Sequence, residues 1–278
     1  MPASPTPAAE APRARPYRPS ALVRGSLALH LAAGLGLAVR PQLWPWALGA
    51  VVADHLALTA AGLWPRASLL GPNWTRLPAD AVARAEIAIT IDDGPDPQVT
   101  PALLRLLERH TIRASFFCVG ERVARHPQLV REMAAQGHTI ENHSQRHLHS
   151  FSLLGPRALR AEIERAQECI AATTGAAPRF FRAPAGLRNP FLEPVLARAG
   201  LTLVSWTRRG FDTVSHDSAR VLARLTRGLR AGDILLLHDG HAARNAAGVP
   251  LALEVLPRLI ESVHHAGLRP VTLRAAHA

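Results

Sequence analysis

The sequence predicts an α/β domain with a parallel sheet, preceded by a hairpin of two apolar helices. From about residue 79, short strand-like runs alternate with helical patterns, which is typical of a parallel sheet covered by helices. Before residue 65 the chain carries two long apolar stretches with few charges. A chain of 278 residues with 48% hydrophobic residues can hold one large domain plus such an appendage.

The N-terminal part is predicted to be a tail followed by a membrane-associated hairpin. Residues 1–20 are rich in Pro, Ala and Arg and predict a disordered basic tail. Of the apolar stretches at 21–39 and 43–64, the second is long enough to span a membrane and the first is marginal. Tryptophans bracket the second stretch, as interfacial residues do. The alternative is a soluble hairpin packed on the domain, with Asp54 and His55 facing water; a cleaved signal peptide fits less well because the apolar region is too long.

Arginines near the apolar stretches predict the orientation in a bacterial inner membrane. Four arginines lie before the first stretch or near its start, one lies between the two stretches, and three follow the second: Arg13, Arg15, Arg18 and Arg24; Arg40; and Arg66, Arg76 and Arg84. If both stretches span, positive charge places both termini, and the large domain, in the cytoplasm. If only the second spans, the large domain lies outside. We expect residues 65–83 to be a linker.

The large domain is predicted to occupy residues 84–278. Seven strand-like runs occur there, at 87–91, 114–119, 139–141, 179–182, 201–206, 234–237 and 270–273. Helical patterns separate them, with one apolar face in the third helix and in the last: Leu159, Ile163, Ala166 and Ile170; and Leu256, Leu259, Ile260 and Val263. This alternation predicts a parallel sheet that is closed, or nearly closed, into a barrel.

Composition disfavours two classes of function. The formal charge is +11, but all 32 basic residues are arginines scattered among helices, so a nucleic-acid partner is not expected. The only cysteines are Cys118, in an apolar run, and Cys169. They predict neither a disulfide framework nor a thiolate metal site, and Cys118 is expected to be a reduced core residue.

Two adjacent carboxylates, Asp92 and Asp93, end the first strand-like run before a Gly-Pro turn. Such a string can be an ordinary turn whose acids cap backbone amides. In a buried strand end, however, both acids remain ionised only beside a bound cation, an arginine, or one of each.

Other reactive side chains follow later strand-like runs. His143 and His147 come after the third; four residues apart on one helical turn, they would face the same side and could chelate a metal. Among 14 histidines, about one pair with this spacing is expected by chance, so the pair alone is no evidence for a site. The position of this pair after a strand is what favours a site. Arg182 follows the fourth run, Asp212 follows the fifth after Trp206, and His238 follows the sixth. Taken singly, Arg182 could form a surface salt bridge, Asp212 could cap a helix, and His238 could be a hydrogen-bonded histidine at the edge of the sheet. Together these residues suit metal-assisted hydrolysis.

In order and spacing, these motifs resemble the polysaccharide deacetylases of the NodB-homology type, carbohydrate esterase family 4, over about residues 84 to 275. The resemblance implies a distorted (β/α)7 barrel and a divalent metal, commonly zinc in that family. It further implies these roles: Asp92 as general base, Asp93, His143 and His147 as metal ligands, Arg182 as the residue that orients the base, Asp212 as the acid that positions this arginine, and His238 as general acid.

The resemblance predicts hydrolysis of N-acetyl groups on a chitooligosaccharide, peptidoglycan or exopolysaccharide. Residues expected near the substrate are Pro184, Ala185, Gly186, Trp206 and Leu236. The chain departs from the family pattern at Ile91, where Phe is usual, and at Ala185 and Thr213, where aromatic residues are common. Because those aromatics commonly contact sugar rings, a lipid-linked amino sugar is an alternative substrate. A membrane-tethered glycan-binding protein with a vestigial site is a third possibility.

Overall fold

The structure is a computed structural model that describes residues 12–277. Its first elements are α1 (Ala21–Val39) and α2 (Trp44–Leu63), joined by a 3-10 turn at Pro41–Leu43. Both helices are long and apolar enough to cross a membrane, and α1 buries no residue against the rest of the chain. The soluble alternative expected Asp54 to face water, but it does not. Its Oδ2 accepts a 2.7 Å hydrogen bond from the Ser26 hydroxyl, which links α2 to α1.

The predicted disordered tail is described only in part. Residues 1–11 lie outside the described residues, and residues 12–20 form no helix or strand. Arg15 holds this segment against the large domain. Its guanidinium lies 2.6 Å from the Glu193 carboxylate and donates to the Leu201 carbonyl, and its backbone N–H donates to the Ala197 carbonyl at 2.9 Å.

The sheet contains eight strands, and every pair is parallel. They are β1 (Glu86–Gly94), β2 (Ser115–Cys118), β3 (Thr139–Asn142), β4 (Phe180–Phe181), β5 (Thr202–Leu203), β6 (Arg208–Arg209), β7 (Ile234–His238) and β8 (Arg269–Val271). The order is β5-β4-β3-β2-β1-β7-β6, with β8 also paired to β1. All seven predicted runs contain a strand. The prediction of seven was wrong by one, because β6 consists of two half-buried arginines and therefore has no apolar pattern.

Nine further helices lie between and around the strands of the described domain. They are α3 (Ala79–Ala83), α4 (Thr100–Arg109), α5 (Gly120–Arg125), α6 (Pro127–Ala135), α7 (Pro156–Thr174), α8 (Leu192–Ala199), α9 (Ser218–Thr226), α10 (Leu251–His265) and α11 (Leu273–His277). The apolar faces predicted in the third helix and in the last are buried in α7 and α10.

Strand β1 organises the core. Ile87, Ile89 and Ile91 pack outward into the cluster formed with α4 and α10, whereas the alternate side chains point into the interior. The sheet forms an incomplete barrel, as expected for a distorted (β/α)7 barrel. Between its edge strands β5 and β6, Trp74 bridges to Val204 and Arg76 bridges to Asp233. Parallel strands bring their carboxyl ends to one rim, where the candidate site lies.

Candidate active site

Asp92 and Asp93 both reach one cavity because β1 is irregular at its end. In a regular strand, successive side chains point to opposite faces of the sheet. Here the register with β2 shifts between Asp92 and Gly94, and Asp93 has a φ of 74°. Such a bulge re-aims a side chain. Both carboxylates line a cavity of about 650 Å³ at the rim, so the pair is not merely an ordinary turn.

Arg182 holds Asp92 from below the cavity. Its Nη1 donates to Asp92 Oδ1 at 2.6 Å and to the Thr90 hydroxyl at 2.9 Å. The remaining guanidinium donors reach the carbonyls of Val204 and Ser205. Burial lowers the pKa of Arg182 and Asp92 opposes this, but a guanidinium stays protonated in proteins. Asp92 therefore faces a fixed positive charge.

Asp93, His143 and His147 form a compact group of possible metal ligands. Asp93 Oδ1 lies 3.2 Å from Nε2 of each histidine, and the three ligand atoms lie within 4.8 Å of one another. His143 Nδ1 is 2.7 Å from the Arg182 carbonyl, which can only accept, so this nitrogen carries the proton and leaves the Nε2 lone pair free. Two imidazoles and one carboxylate suit a divalent metal such as zinc, with a position left for water.

The two histidines do not share a helical turn, and that part of the prediction was wrong. They lie in the loop after β3, in which Ser144 and His147 have φ values of 65° and 53°. The loop folds back on itself because the Ser144 N–H donates to Asn142 Oδ1 and the His147 N–H donates to the Ser144 hydroxyl. Glu162 on α7 accepts from both the backbone and the guanidinium of Arg146 and anchors the loop. Loop geometry, not helical spacing, brings the imidazoles together.

The electrostatics act differently on the three possible ligands. Burial alone would raise the pKa of Asp93, but hydrogen bonds from His143 and His241 hold it well below its ordinary value. Burial would lower the pKa of His143, and the charges of Asp92 and Asp93 raise it overall. Burial and the neighbouring His143 lower the pKa of His147 to about 4.

The resemblance implied that Asp212 positions Arg182, and this was wrong. Asp212 pairs with His238 instead. Asp212 Oδ1 lies 2.9 Å from His238 Nδ1, and Oδ2 accepts from the His238 N–H at 2.8 Å. The unpredicted strand β6 explains this, because it pairs with β7 and carries the Asp212 loop to the end of β7. Burial lowers the pKa of His238, but Asp212 raises it above its ordinary value overall.

Four of the five residues predicted near the substrate line the cavity: Ala185, Gly186, Trp206 and Leu236. Pro184 does not line it. Asp92 and His238 lie opposite each other, as register partners on β1 and β7. The cavity thus has a carboxylate held by arginine on one strand, and a histidine held by a carboxylate on the next.

Sequence reasoning missed His241 and Arg122, which also line the cavity. His241 Nδ1 lies 3.2 Å from Asp93 Oδ2, and its Nε2 lies 3.0 Å from Arg122 Nη2. Because arginine can only donate, His241 Nε2 is the acceptor, and Nδ1–H donates to Asp93. The end of β2 was the signal for Arg122, since that strand also delivers its following residues to the rim.

The fold and this combination of groups define an enzyme of the hydrolase class. A family model described as polysaccharide deacetylase matches residues 79–204. A chitooligosaccharide deacetylase from Bradyrhizobium sp. (strain ANU 289) is 35% identical over 163 residues, which cover 58% of this chain and 74% of that protein. A peptidoglycan-N-acetylglucosamine deacetylase from Bacillus cereus is 35% identical over 175 residues, covering 62% and 81% respectively.

Solved structures agree with the sequence relatives. The family 4 carbohydrate esterase from Streptomyces lividans, in complex with acetate, superposes with a TM-score of 0.61 at 32% identity. The match covers 67% of this chain and 91% of that one. This chain belongs to the polysaccharide deacetylase family.

Proposed function

We propose that this protein removes N-acetyl groups from the amino sugars of a chitooligosaccharide- or peptidoglycan-type glycan, in a metal-dependent reaction. The observation that carries the proposal is the placement of Asp92 and His238 as register partners beside the group of Asp93, His143 and His147. The relatives support it, since their names describe deacetylation of these two kinds of glycan.

Asp92 is the general base in this proposal. Its ion pair with Arg182 orients the carboxylate, with Oδ1 occupied by the guanidinium. The other oxygen remains free to take a proton from the attacking water. A divalent cation held by Asp93, His143 and His147 would supply Lewis acidity at the acetyl carbonyl when bound.

His238 is the general acid. The amine must leave in neutral form, so it needs a proton as the carbon–nitrogen bond breaks. Asp212 raises the pKa of His238 against the effect of burial and so keeps the imidazole protonated over a wider pH range. Leu236 and Trp206 offer apolar surface for the acetyl methyl group.

The test uses detergent-extracted full-length protein with N-acetylated chitotetraose and peptidoglycan fragments, and measures released acetate together with bound metal. We expect Asp92→Asn and His238→Ala to lose about 10²–10⁴-fold in turnover, the usual range for removing an acid or a base, while metal remains bound. His143→Ala should lose the metal itself.

Asp80→Asn and His264→Ala are matched controls, because both residues are exposed and lie outside the cavity. Both controls should keep full turnover. Unchanged turnover in either Asp92→Asn or His238→Ala would refute the assigned roles. A wild-type protein that binds acetylated glycans without releasing acetate would instead support the tethered, vestigial glycan-binding protein.

A lipid-linked amino sugar is the second candidate substrate. Ala185 and Thr213 line the cavity where aromatic residues would contact an extended glycan. In addition, the segment after α2 packs beside this cavity, because Pro65 lies against Gly186 and Trp206. A membrane-held substrate would then reach the site without leaving the bilayer surface.

A further inference from the structure

A second cavity adjoins the active site at the end of the candidate membrane hairpin. It has a volume of about 660 Å³ and shares Trp206 and Arg209 with the active-site cavity. Trp64, the first residue after α2, forms part of its wall and is 60% exposed. We call this cavity the arginine groove; its other lining residues include Arg66, Phe211, Arg224 and Arg227.

The groove is fixed in position relative to α2. The Arg188 N–H donates to the Gly62 carbonyl at 3.1 Å, and the Ser205 hydroxyl donates to the Pro65 carbonyl at 2.6 Å. At Gly186, with a φ of +74°, a Cβ would lie 2.7 Å from both Pro65 and the Trp206 ring. The chain leaving α2 therefore packs directly on the loops that carry Arg182 and Trp206, which places the groove where a membrane surface would be.

The groove carries strong positive charge. Five of its ten lining residues are arginines and none is acidic. Arg208 is neutralised by Asp233, whose Oδ2 lies 2.6 Å from its Nε. Within residues 12–277, no carboxylate forms an ion pair with the other four, Arg66, Arg209, Arg224 and Arg227. Clustered like charges without counter-ions favour an anionic ligand.

The arginines lie on aromatic surface. The Arg209 guanidinium is centred 5.3 Å from the Trp206 ring and 5.0 Å from the Phe211 ring, and Arg224 lies 5.3 Å from Phe211. Arg209 Nε is buried and has no hydrogen-bond partner among the described residues. A buried donor without a partner is costly. The groove thus combines arginines that lack a carboxylate partner with the exposed rings of Trp64 and Phe211.

We propose that the arginine groove binds the phosphate of a lipid-linked amino sugar while the acetylated sugar enters the active site, an inference that rests on the proposed deacetylase function. Guanidinium groups bind phosphate through paired hydrogen bonds. Arginines that follow a membrane helix attract anionic lipid headgroups, and Trp64 offers apolar surface to the first part of the lipid chain. The shared residues Trp206 and Arg209 place phosphate and sugar next to each other.

Three substrates separate the contributions of phosphate and lipid. They are N-acetylglucosamine joined to farnesol through a phosphodiester, N-acetylglucosamine 1-phosphate, and octyl N-acetylglucosaminide. Binding to the full-length protein in neutral detergent is measured by calorimetry, and acetate release is measured in parallel. The farnesyl phosphodiester should bind about tenfold tighter than either of the others, because only it offers both phosphate and lipid.

The double variant Arg66→Gln/Arg227→Gln should lose this advantage and raise KM for the phosphodiester about tenfold, with no change in kcat or in turnover of octyl N-acetylglucosaminide. Arg105→Gln/Arg258→Gln, which removes the same charge from exposed positions outside the groove, should behave like wild type. The proposal would be overturned if the octyl compound bound as tightly as the phosphodiester. It would also be overturned if the sugar 1-phosphate bound as tightly as the phosphodiester. If the phosphodiester binds as expected but no compound releases acetate, the groove stands and the deacetylase function fails.

Discussion

At the residue scale, the site depends on how each charged side chain is paired. Asp92, the proposed base, is held by the positive charge of Arg182. His238, the proposed acid, is held by the negative charge of Asp212. The same pairing logic explains why Asp92 and Asp93 can both be ionised although they are adjacent. One faces a guanidinium, and the other faces His143, His147 and His241.

The contact from His241 to Asp93 predicts a role in metal affinity. Arg122 fixes the tautomer of His241, whose Nδ1–H holds Asp93 Oδ2 and leaves Oδ1 directed at His143 and His147. Partners of metal ligands typically contribute 10- to 100-fold to affinity. We therefore expect His241→Ala to weaken zinc binding by about tenfold, measured by competition with a chromophoric chelator.

His241→Asn supplies the control for this prediction, because its amide N–H can replace Nδ1–H. Affinity in this variant should lie closer to that of the wild type. If His241→Ala binds zinc as tightly as the wild-type protein, the contact with Asp93 has no positioning role.

At the element scale, strand ends were predictable and loop geometry was not. Runs of apolar residues indicated β2, β3 and β7 to within one residue at each end, and β1 to within three, because buried strands leave a strong pattern. Strand β6 could not be predicted, because its two residues are arginines with no apolar pattern, and the pairing of Asp212 with His238 depends on this strand. Likewise, the loop that carries His143 and His147 is shaped by side-chain hydrogen bonds and left-handed residues, which periodicity does not report.

The connection between β2 and β3 contains a buried histidine that makes stability depend on pH. His138 is 6% exposed, and its Nδ1 accepts a 3.1 Å hydrogen bond from the Ala114 N–H. Burial, with a smaller contribution from Arg113, lowers the pKa of His138 to about 4. The ordinary value of about 6.5 applies in the unfolded chain, which therefore binds more protons between these values. The contribution of neutral His138 to the free energy of unfolding is thus complete above pH 6.5 and is lost as the pH falls through about 4.

We expect His138→Gln to flatten this dependence, because the glutamine amide oxygen can accept from Ala114 without titrating. Protonation of His138 should cost the wild-type protein about 3 kcal/mol in free energy of unfolding by pH 4. Thermal unfolding with chelator present, at pH 7.5 and pH 4.5, measures the difference between the two proteins. The exposed substitution His264→Gln should leave the wild-type dependence intact; an equal loss of stability on acidification in His138→Gln would contradict the assignment.

At the scale of the whole molecule, the fold brings together arginines that are far apart in the sequence. The arginines of the groove lie between positions 66 and 227, and the scatter of arginines along the sequence indicated no local binding site. Only the packing of residues 62–65 on the loops after β4 and β5 brings Arg66 beside Arg209 and Arg227. Charge counts can therefore disfavour one class of partner and still miss a local site for an anionic ligand.

A hairpin that spans the membrane would determine on which side this site works. Helices α1 and α2 expose their apolar side chains, and their polar residues Ser26 and Asp54 satisfy each other between the helices. With three arginines before α1, Arg24 in its first turn and a single arginine between the helices, we expect two spans and a cytoplasmic domain. A fluorescent reporter fused to the C-terminus should then be active, and an export-dependent phosphatase at the same position should be inactive. The same phosphatase fused after Arg40 is the control and should be active, because the connection between the helices would face the opposite side. Activity of the C-terminal phosphatase would instead show a single span with the domain outside.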